Sequence, residues 1–540
     1  MPARKVVVLG GGYTALYACS RLRRAVKKGE IELTLISKEN FHIWHGFIGE
    51  MIAGKISPRS ILTPARRVFR PAKIILGIIE KLDTEAKKVH FKRESDGLPD
   101  FIEYDDVIIG MGTRQNTEAF PGLNEHGYKL KKWDHCFQLR NHIPRMFELA
   151  SSTYDKNERQ AMLTFFIAGG GFSGTEVAGE LGLLAKKLTK RDYPEIRPEE
   201  VRVILVHPGK TILPEFYGPR VQTNQVKEYP KLVRYAEKQL RKTGVELMTN
   251  TRINAVSPNA VTLNNGMVIP TRTVISAVGT KPQGVVFESN LPLSASGRLD
   301  CENTCLVSGH EDVYAAGDCA AVPHPKGGEI PPTAWWAMKA GDHAAKNILR
   351  KMRNKKQKPF KLTGLGQAVS IGNQRACAEL KGIPIKGFLA WVVWRGFLFY
   401  YFPSMDGKAR LLADWTISPL LGRDIIDLSV DDLDDFEIKK MRFEPSEIVV
   451  TQGRIGNTVQ LITAGEAIVT EDIDGDGEAD VIKTLGPGDI IGHNISNGIA
   501  KFTVQSKGVL ETVALRTDEA EELAQTFSMF LRSMPAEEEQ

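Results

Sequence analysis

The residues with the plainest chemical meaning form two glycine runs. Gly10-Gly11-Gly12-Tyr13-Thr14-Ala15 follows an apolar stretch, Lys5–Leu9, and precedes a helical one, Leu16 to Ala25. Gly169-Gly170-Gly171-Phe172-Ser173-Gly174 repeats that order between Leu163–Ala168 and Thr175 to Lys187, 159 residues further on. Strand, glycine turn and helix in this order build an anion site. The first glycine permits a tight turn, the second lets backbone amides reach a pyrophosphate, and the third small residue lets helix and strand pack closely. The anion then rests on the helix N-terminus, where unpaired amides carry partial positive charge. One glycine turn has a purely structural explanation; two in the same context predict two nucleotide sites on two doubly wound folds. Returning strands fall where such folds need them, at Tyr104–Gly112 and Arg272–Gly279, and VYAAGD ends on a carboxylate, Asp318.

A chain of 540 residues exceeds one hydrophobic core and predicts about three or four domains. Its 42% apolar and 25% charged residues are those of an ordinary soluble globular protein. The net charge of +6 hides a division. Residues 424–540 hold 9 Lys and Arg against 25 Asp and Glu, a net of −16, leaving 62 against 40, or +22, for residues 1–423. A basic body suits an anionic partner, a membrane surface or nucleotide phosphates, although uneven solvation gives the same count. Cysteines at 19, 136, 301, 305, 319 and 377 show no CxxC spacing, and Cys301 with Cys305 lacks the second pair of a zinc site, so no metal is expected. The first strand begins almost at once, leaving no room for a signal peptide, which predicts a reducing cytoplasm and free thiols. No apolar run reaches the length of a spanning helix.

Further segments carry a resemblance. They are NFHIWHGFIGEMIAGKI (40–56), FPGLNEHGYKLKKWDHCFQLRNHI (120–143), GGGFSGTEVAGEL (169–181), VYAAGDCA (313–320), PPTAWWAMKAGDHAAKNI (331–348) and GFLAWVVWRGFLFYYFP (387–403). Over about residues 1–427 the chain resembles the two-dinucleotide-binding flavoproteins, and within them the type II NADH dehydrogenases. The fold implied is α/β, with two Rossmann-like folds, a C-terminal amphipathic helical segment and an appended antiparallel β-roll. The resemblance divides the chain into an FAD-binding domain (1–124 and 284–350), an NAD(P)H-binding domain (125–283) and a membrane-surface or dimerisation segment (351–427). An acidic linker (428–442) and the roll (443–540) follow.

The implied cofactors are FAD and NADH or NADPH, and the implied acceptor is a quinone or similar small molecule. The protein would lie on the inner, cytoplasmic face of a membrane as a homodimer, without nucleic acid. Gly10, Gly12, Thr14, Ala15, Ser37, Gly112 and Asp318 would contact FAD. Gly169, Gly171, Ser173, Gly174, His207 and Gly279 would contact the nicotinamide nucleotide. Glu176 and Glu180 look like family acids near the nicotinamide, though they equally suit an exposed helix face with Lys186 and Lys187. Trp391, Trp394, Phe397, Phe399, Tyr400 and Tyr401, with Arg395 among them and Lys381, Lys386, Lys408 and Arg410 around them, suit an interfacial helix; a core helix or a dimer interface is the alternative.

Departures from that pattern carry information. The second strand of each nucleotide fold normally ends on an acid that bonds a ribose hydroxyl. Here Ser37 stands there in the first fold, with Glu39 beyond it, and His207 in the second, with Lys210 nearby. Loss of the second carboxylate removes a partner for NADH and a repulsion against the phosphate of NADPH, which predicts weakened preference between them. The family's Ala-Gln-x-Ala-x-Gln motif reads Ala334-Trp335-Trp336-Ala337-Met338-Lys339, so an indole and a cation replace two amides. Lys339 can polarise a carbonyl, and Trp335 can block a channel. Two rival readings follow: a sulfide:quinone-type oxidoreductase using Cys319 with Cys136 or Cys377, and a nucleotide-binding scaffold or sensor with little turnover.

After the acidic hinge Ser429–Glu437, short alternating segments with glycine turns predict a β-roll closed by a helix at about 518–533. Its Phe443, Pro445, Gly453, Gly456, Gly465 and GPGD (486–489) resemble a cyclic nucleotide-binding domain. His493 and Ala500 stand where that family holds ribose and phosphate with Glu and Arg, which argues against that ligand. The run Asp472 to Asp480 has calcium-loop spacing, but Lys483 occupies the position of the bidentate glutamate, and Asp-Gly favours a hairpin turn.

Overall fold

The computed structural model describes residues 2–216, 228–284, 289–423, 426–427, 439–452, 458–471, 480–492, 495–496 and 499–516. Strand Arg4–Leu9 is Val-rich and buried along most of its length, as a central parallel strand must be. It pairs in parallel with Ile31–Ser37 on one side and Asp106–Ile109 on the other, with Leu9 opposite both Ile36 and Ile109. The sheet runs 313–315, 106–109, 4–9, 31–37, 73–83, then antiparallel through 88–93 and 99–103. A second sheet, all parallel, runs 127–129, 273–276, 164–168, 202–206 and 245–248. Both glycine runs thus emerge at the carboxyl edge of a central strand, between neighbours reached by opposite crossovers, where open α/β sheets bind ligands.

The helices that matter are α1 (Tyr13–Lys27), α2 (Ile48–Ile52), α3 (Phe172–Arg191), α4 (Ala334–Met352), α5 (Phe388–Tyr401) and α6 (Met405–Leu421). Helix α1 starts inside the glycine motif, earlier than Leu16, and buries Ala15, Ala18, Cys19 and Leu22 on one face. Arg24 and Lys27 close its last turn, complementing the dipole. Helix α4 crosses α1 so closely that a Cβ on Gly341 would stand 2.5 Å from the Thr14 carbonyl oxygen; only glycine permits that approach. The segment 351–427, expected to be helical, first forms an antiparallel sheet, Gly366–Ser370, Ala376–Leu380 and Ile383–Gly387, whose last strand feeds α5. Strands of only five residues, separated by glycine turns, give weak periodicity, which is why this sheet was not foreseen.

The C-terminal region forms two four-stranded antiparallel sheets around Phe443, Ile462, Val469, Leu485, Ile491, Val504 and Leu510. Its first strand is Lys439–Phe443, so four residues assigned to the acidic linker belong to the roll. The hinge up to residue 438, Asp472–Ala479, His493 and the helix at 518–533 lie outside the described residues. The roll leans on the middle fold, where Ser257 Oγ donates to Glu447 Oε1 (2.6 Å), Asn259 Nδ2 to the Ile448 carbonyl (3.3 Å) and the Arg442 amide to His126 Nε2 (3.3 Å).

Candidate functional site

The first cradle follows from backbone geometry. Gly10 has φ +90°, and a Cβ there would lie 2.9 Å from the Gly110 oxygen and the Met111 Cα. Gly12 caps α1, and a Cβ there would meet nothing nearer than the Gly110 oxygen at 3.8 Å, which leaves room beside its backbone for a ligand. Ser37, one residue past the Ile36–Leu9 pairing, is buried with its Oγ against Gly11. Thr14 Oγ1 donates to the Ala316 carbonyl (3.1 Å), tying α1 to the segment that leads from strand 313–315 to Asp318, and Ala15 is fully buried beneath. Asp318 pairs with Lys131 Nζ (2.8 Å), which also donates to Thr113 Oγ1 (2.6 Å); Gly112 at φ +66° leads into that corner. The structure therefore brings together all seven residues expected here.

One neighbour went unnoticed in the sequence. His42 is buried with Nδ1 donating to the Gly11 carbonyl (3.0 Å), and burial lowers its pKa to about 4, so the ring is neutral. Its Nε2 and the Trp44 Nε1 are buried without a partner among the described residues. The signal was a histidine beside aromatic residues just after the second strand, which reads equally as core.

In the second cradle Gly169 has φ +116°, with a Cβ position 2.3 Å from the Ala277 oxygen, and Gly174 packs 1.9 Å from the Gly169 oxygen by the same measure. Register places His207 one residue past the Val206–Ala168 pairing, where the ribose-binding acid is expected, and its Nδ1 accepts the Gly170 amide (3.3 Å). Ser173 is exposed in the first turn of α3, and no protein atom would crowd a side chain at Gly279. Unforeseen was Glu215. Its Oε1 accepts the Phe172 amide (3.3 Å) and faces Gly171, so a carboxylate of the chain itself sits on the α3 N-terminus. The segment is tied down by the Leu213 amide donating to the Gly170 carbonyl (2.7 Å), with Leu213 at φ +56°, a conformation costly for a side-chain-bearing residue.

Between the two folds lies a buried charge cluster. Glu180 accepts from Lys55 Nζ (2.6 Å) and from Arg423 Nη2 (3.5 Å), and Glu50 accepts from Arg395 Nη2 (2.9 Å). The Arg395 guanidinium also lies 4.0 Å from the Trp415 ring centroid and 4.6 Å from that of Trp391. Glu176 Oε1 accepts the Ser370 amide (3.2 Å), and loss of hydration pushes its carboxyl up to about 8. Removing any partner from such a set strands a charge in the core, so the cluster fixes α2, α3, α5 and α6 as one unit. Glu176 and Glu180 therefore do not form an exposed face with Lys186 and Lys187; they point inward. Glu50, an acid alone in the apolar run Ile48–Ile52, was the overlooked signal.

Helix α4 presents Trp335 and Lys339 beside the first cradle. Lys339 Nζ lies 5.9, 5.7 and 5.3 Å from the ring centroids of Tyr17, Trp335 and Tyr401. On α5, Trp394 is buried against Phe47 and not an exposed anchor; Phe388, Leu389, Val392 and Tyr400 are the exposed members. All six cysteines are free and buried. Cys136, Cys319 and Cys377 donate to the backbone carbonyls of Leu130, Ala316 and Leu232, and burial pushes the Cys319 thiol up to about 11 and that of Cys377 to about 12, the reverse of nucleophile activation.

Comparison with known proteins agrees with this architecture. A probable NADH dehydrogenase of Dictyostelium discoideum is 27% identical over 427 residues, covering 78% of this chain and 90% of the relative. A type II NADH:quinone oxidoreductase of Mycobacterium tuberculosis is 26% identical over 435 residues, covering 78% and 87%. The fold is shared with NDH2 from Plasmodium falciparum in complex with NADH (TM-score 0.70, 16% identity, 78% of this chain and 99% of that one). It is also shared with the sulfide:quinone oxidoreductase of Aquifex aeolicus (TM-score 0.58, 16% identity, 78% and 96%). The family described as pyridine nucleotide-disulphide oxidoreductase matches residues 4–341, and the chain belongs to it.

Proposed function

We propose that this protein is an FAD-dependent NAD(P)H dehydrogenase that passes electrons to a quinone-like acceptor beside a membrane surface. The observation that carries the reading is the pair of glycine cradles, each at the carboxyl edge of a parallel sheet, locked to one another through the Glu50–Glu180 cluster. The first cradle fits a resident dinucleotide. Gly12 leaves room beside its backbone, Ser37 stands where a ribose hydroxyl bonds, and the buried His42 Nε2 and Trp44 Nε1 lack partners among the described residues. Residues 1–124 and 284–350 would hold FAD, whose isoalloxazine supplies hydride acceptance and stepwise release of electrons. The relatives' names, NADH dehydrogenase and type II NADH:quinone oxidoreductase, support the same reaction.

The chain's own groups do the positioning. Gly169, Gly171, Ser173 and Gly174 take the nicotinamide nucleotide's pyrophosphate once Glu215 yields, and His207 meets its adenosine ribose. Glu176, protonated at neutral pH and close to the junction, holds a proton within the protein. Exposed Phe388, Leu389, Tyr400, Met405 and Leu412 on α5 and α6, flanked by Lys386, Lys408 and Arg410, suit a helical surface lying flat among headgroups. Among the described residues no helix is long and apolar enough to cross a membrane.

Anaerobic titration of the purified holoprotein with NADH, then NADPH, tests the reading through the visible flavin absorbance. Bleaching followed by reoxidation with a quinone is expected. A flavin that stays oxidised with both nucleotides returns the protein to the scaffold reading, and a preparation without flavin removes the assignment of the first cradle. Sedimentation with anionic vesicles, weakened by salt, tests the membrane surface; equal sedimentation with and without vesicles rejects it.

A further inference from the structure

Lys339 is a cation without a counter-charge. Among the described residues no carboxylate lies within ion-pair distance of its Nζ; Asp342, on the same helix, is held by Arg21 Nε (2.6 Å) and Lys346 Nζ (2.6 Å). Three aromatic rings surround it instead, contributed by α1, α4 and α5, and ring faces attract an ammonium only weakly compared with an anion. Trp335 in the same group has a buried Nε1–H with no acceptor in reach among the described residues. The two deficits have one sign: the site offers positive charge and a hydrogen-bond donor and supplies neither an anion nor an acceptor. Its walls are flat and apolar, which suits a planar ring and not a hydrated phosphate. Half-exposed Tyr401 and exposed Tyr400 line its approach from the apolar surface.

Resting on the dehydrogenase reading above, we infer that this cage selects a quinone bearing an ionised oxygen, a 2-hydroxy-1,4-quinone anion, over a neutral quinone of the same size. The Lys339 ammonium pairs with the enolate oxygen, and the Trp335 indole N–H bonds a carbonyl. A neutral quinone offers both groups carbonyl oxygens only, without the charge that pairs with the ammonium. The reaction balances without another reagent: NADH, two protons and the quinone anion give NAD+ and the neutral trihydroxyarene, because reduction removes the conjugated carbonyl that made the hydroxyl acidic. Lys339 acts as a specificity-determining residue, because it rewards charge that the oxidised substrate carries and the reduced product has lost.

The test uses the holoenzyme and two probes, 2-hydroxy-1,4-naphthoquinone, ionised at neutral pH, and neutral 2-methyl-1,4-naphthoquinone. Their kcat/KM ratio is measured in the wild type, Lys339→Gln and Lys339→Arg, so that differences in the quinones' own potentials cancel between proteins. The ratio is expected to fall about tenfold in Lys339→Gln, the loss of one charge-assisted hydrogen bond, and to be retained in Lys339→Arg. A ratio that is equal in all three proteins overturns the inference, as does equal loss of both acceptors in Lys339→Gln. The dehydrogenase reading is scored separately by bleaching with NADH. If NADH bleaches the flavin and neither quinone reoxidises it, the quinone step and this inference both fall while hydride acceptance stands.

Discussion

The two glycine cradles share a sequence pattern and a fold yet differ in what the chain places over them. At the first, a Cβ on Gly12 would meet no protein atom within 3.7 Å, and the side chain against neighbouring Gly11, Ser37, is small and uncharged. At the second, His207 Nδ1 takes the Gly170 amide and the Glu215 carboxylate takes the Phe172 amide, each at 3.3 Å. Amides that a protein satisfies by itself cost little when the ligand is away, whereas unsatisfied ones favour keeping it. The first arrangement suits a cofactor that stays, and the second a substrate that leaves after every turnover.

The largest effect expected is from Gly10→Val, whose side chain is barred by φ +90° and by backbone 2.9 Å from the Cβ position. Protein purified from this variant should lack flavin, read as the ratio of visible to ultraviolet absorbance. Gly169→Val should instead keep flavin and lose bleaching by NADH; loss of flavin in both variants would show that the cradles are not separate. Next, Glu215→Gln removes a negative charge from a helix N-terminus. It should lower KM for NADH and NADPH about two- to tenfold with little change in kcat. A raised KM would mean that Glu215 holds the nucleotide and does not compete with it.

His207→Glu should restore discrimination, shifting the kcat/KM ratio of NADH to NADPH upward about tenfold, since a carboxylate bonds the ribose and repels the added phosphate. A strong NADH preference in the wild type would contradict the role given to His207. The smallest effect concerns pH. Glu176 has a carboxyl raised to about 8, so its contribution to stability is fully present below the unfolded value near 4.5 and is lost as pH rises through 8. Urea midpoints of the wild type should fall between pH 6 and 9 more steeply than those of Glu176→Gln; parallel slopes would place the titration elsewhere.

Much of the site was legible because its signals are local. A strand, a glycine turn and a helix occupy about thirty consecutive residues, so Gly10, Gly12, Gly169, Gly171 and Gly174 needed no tertiary information. Register puts Ser37 and His207 at equivalent positions in their sheets, one residue past Leu9–Ile36 and Ala168–Val206. Legibility failed where partners are distant or faces ambiguous. Trp394 and Tyr400 occupy the same aromatic run, yet one is buried against Phe47 and the other is exposed. Nothing in that run sets its orientation until α2 and α6 are in place. The hairpins of residues 366–387 failed for another reason, since short strands borrow their stability from neighbours.

By itself, then, the amino-acid order determined the two nucleotide folds, the place of each cradle and the change from α/β body to β-roll, because apolar periodicity and glycine turns act over a few residues. Only the tertiary structure decided which charges meet. Glu50 with Arg395, Glu180 with Lys55 and Arg423, and Lys339 within its three rings join residues that are 345, 125, 243 and up to 322 positions apart. A buried ion finds its partner through the packing of whole elements, and no short stretch of sequence carries that distance.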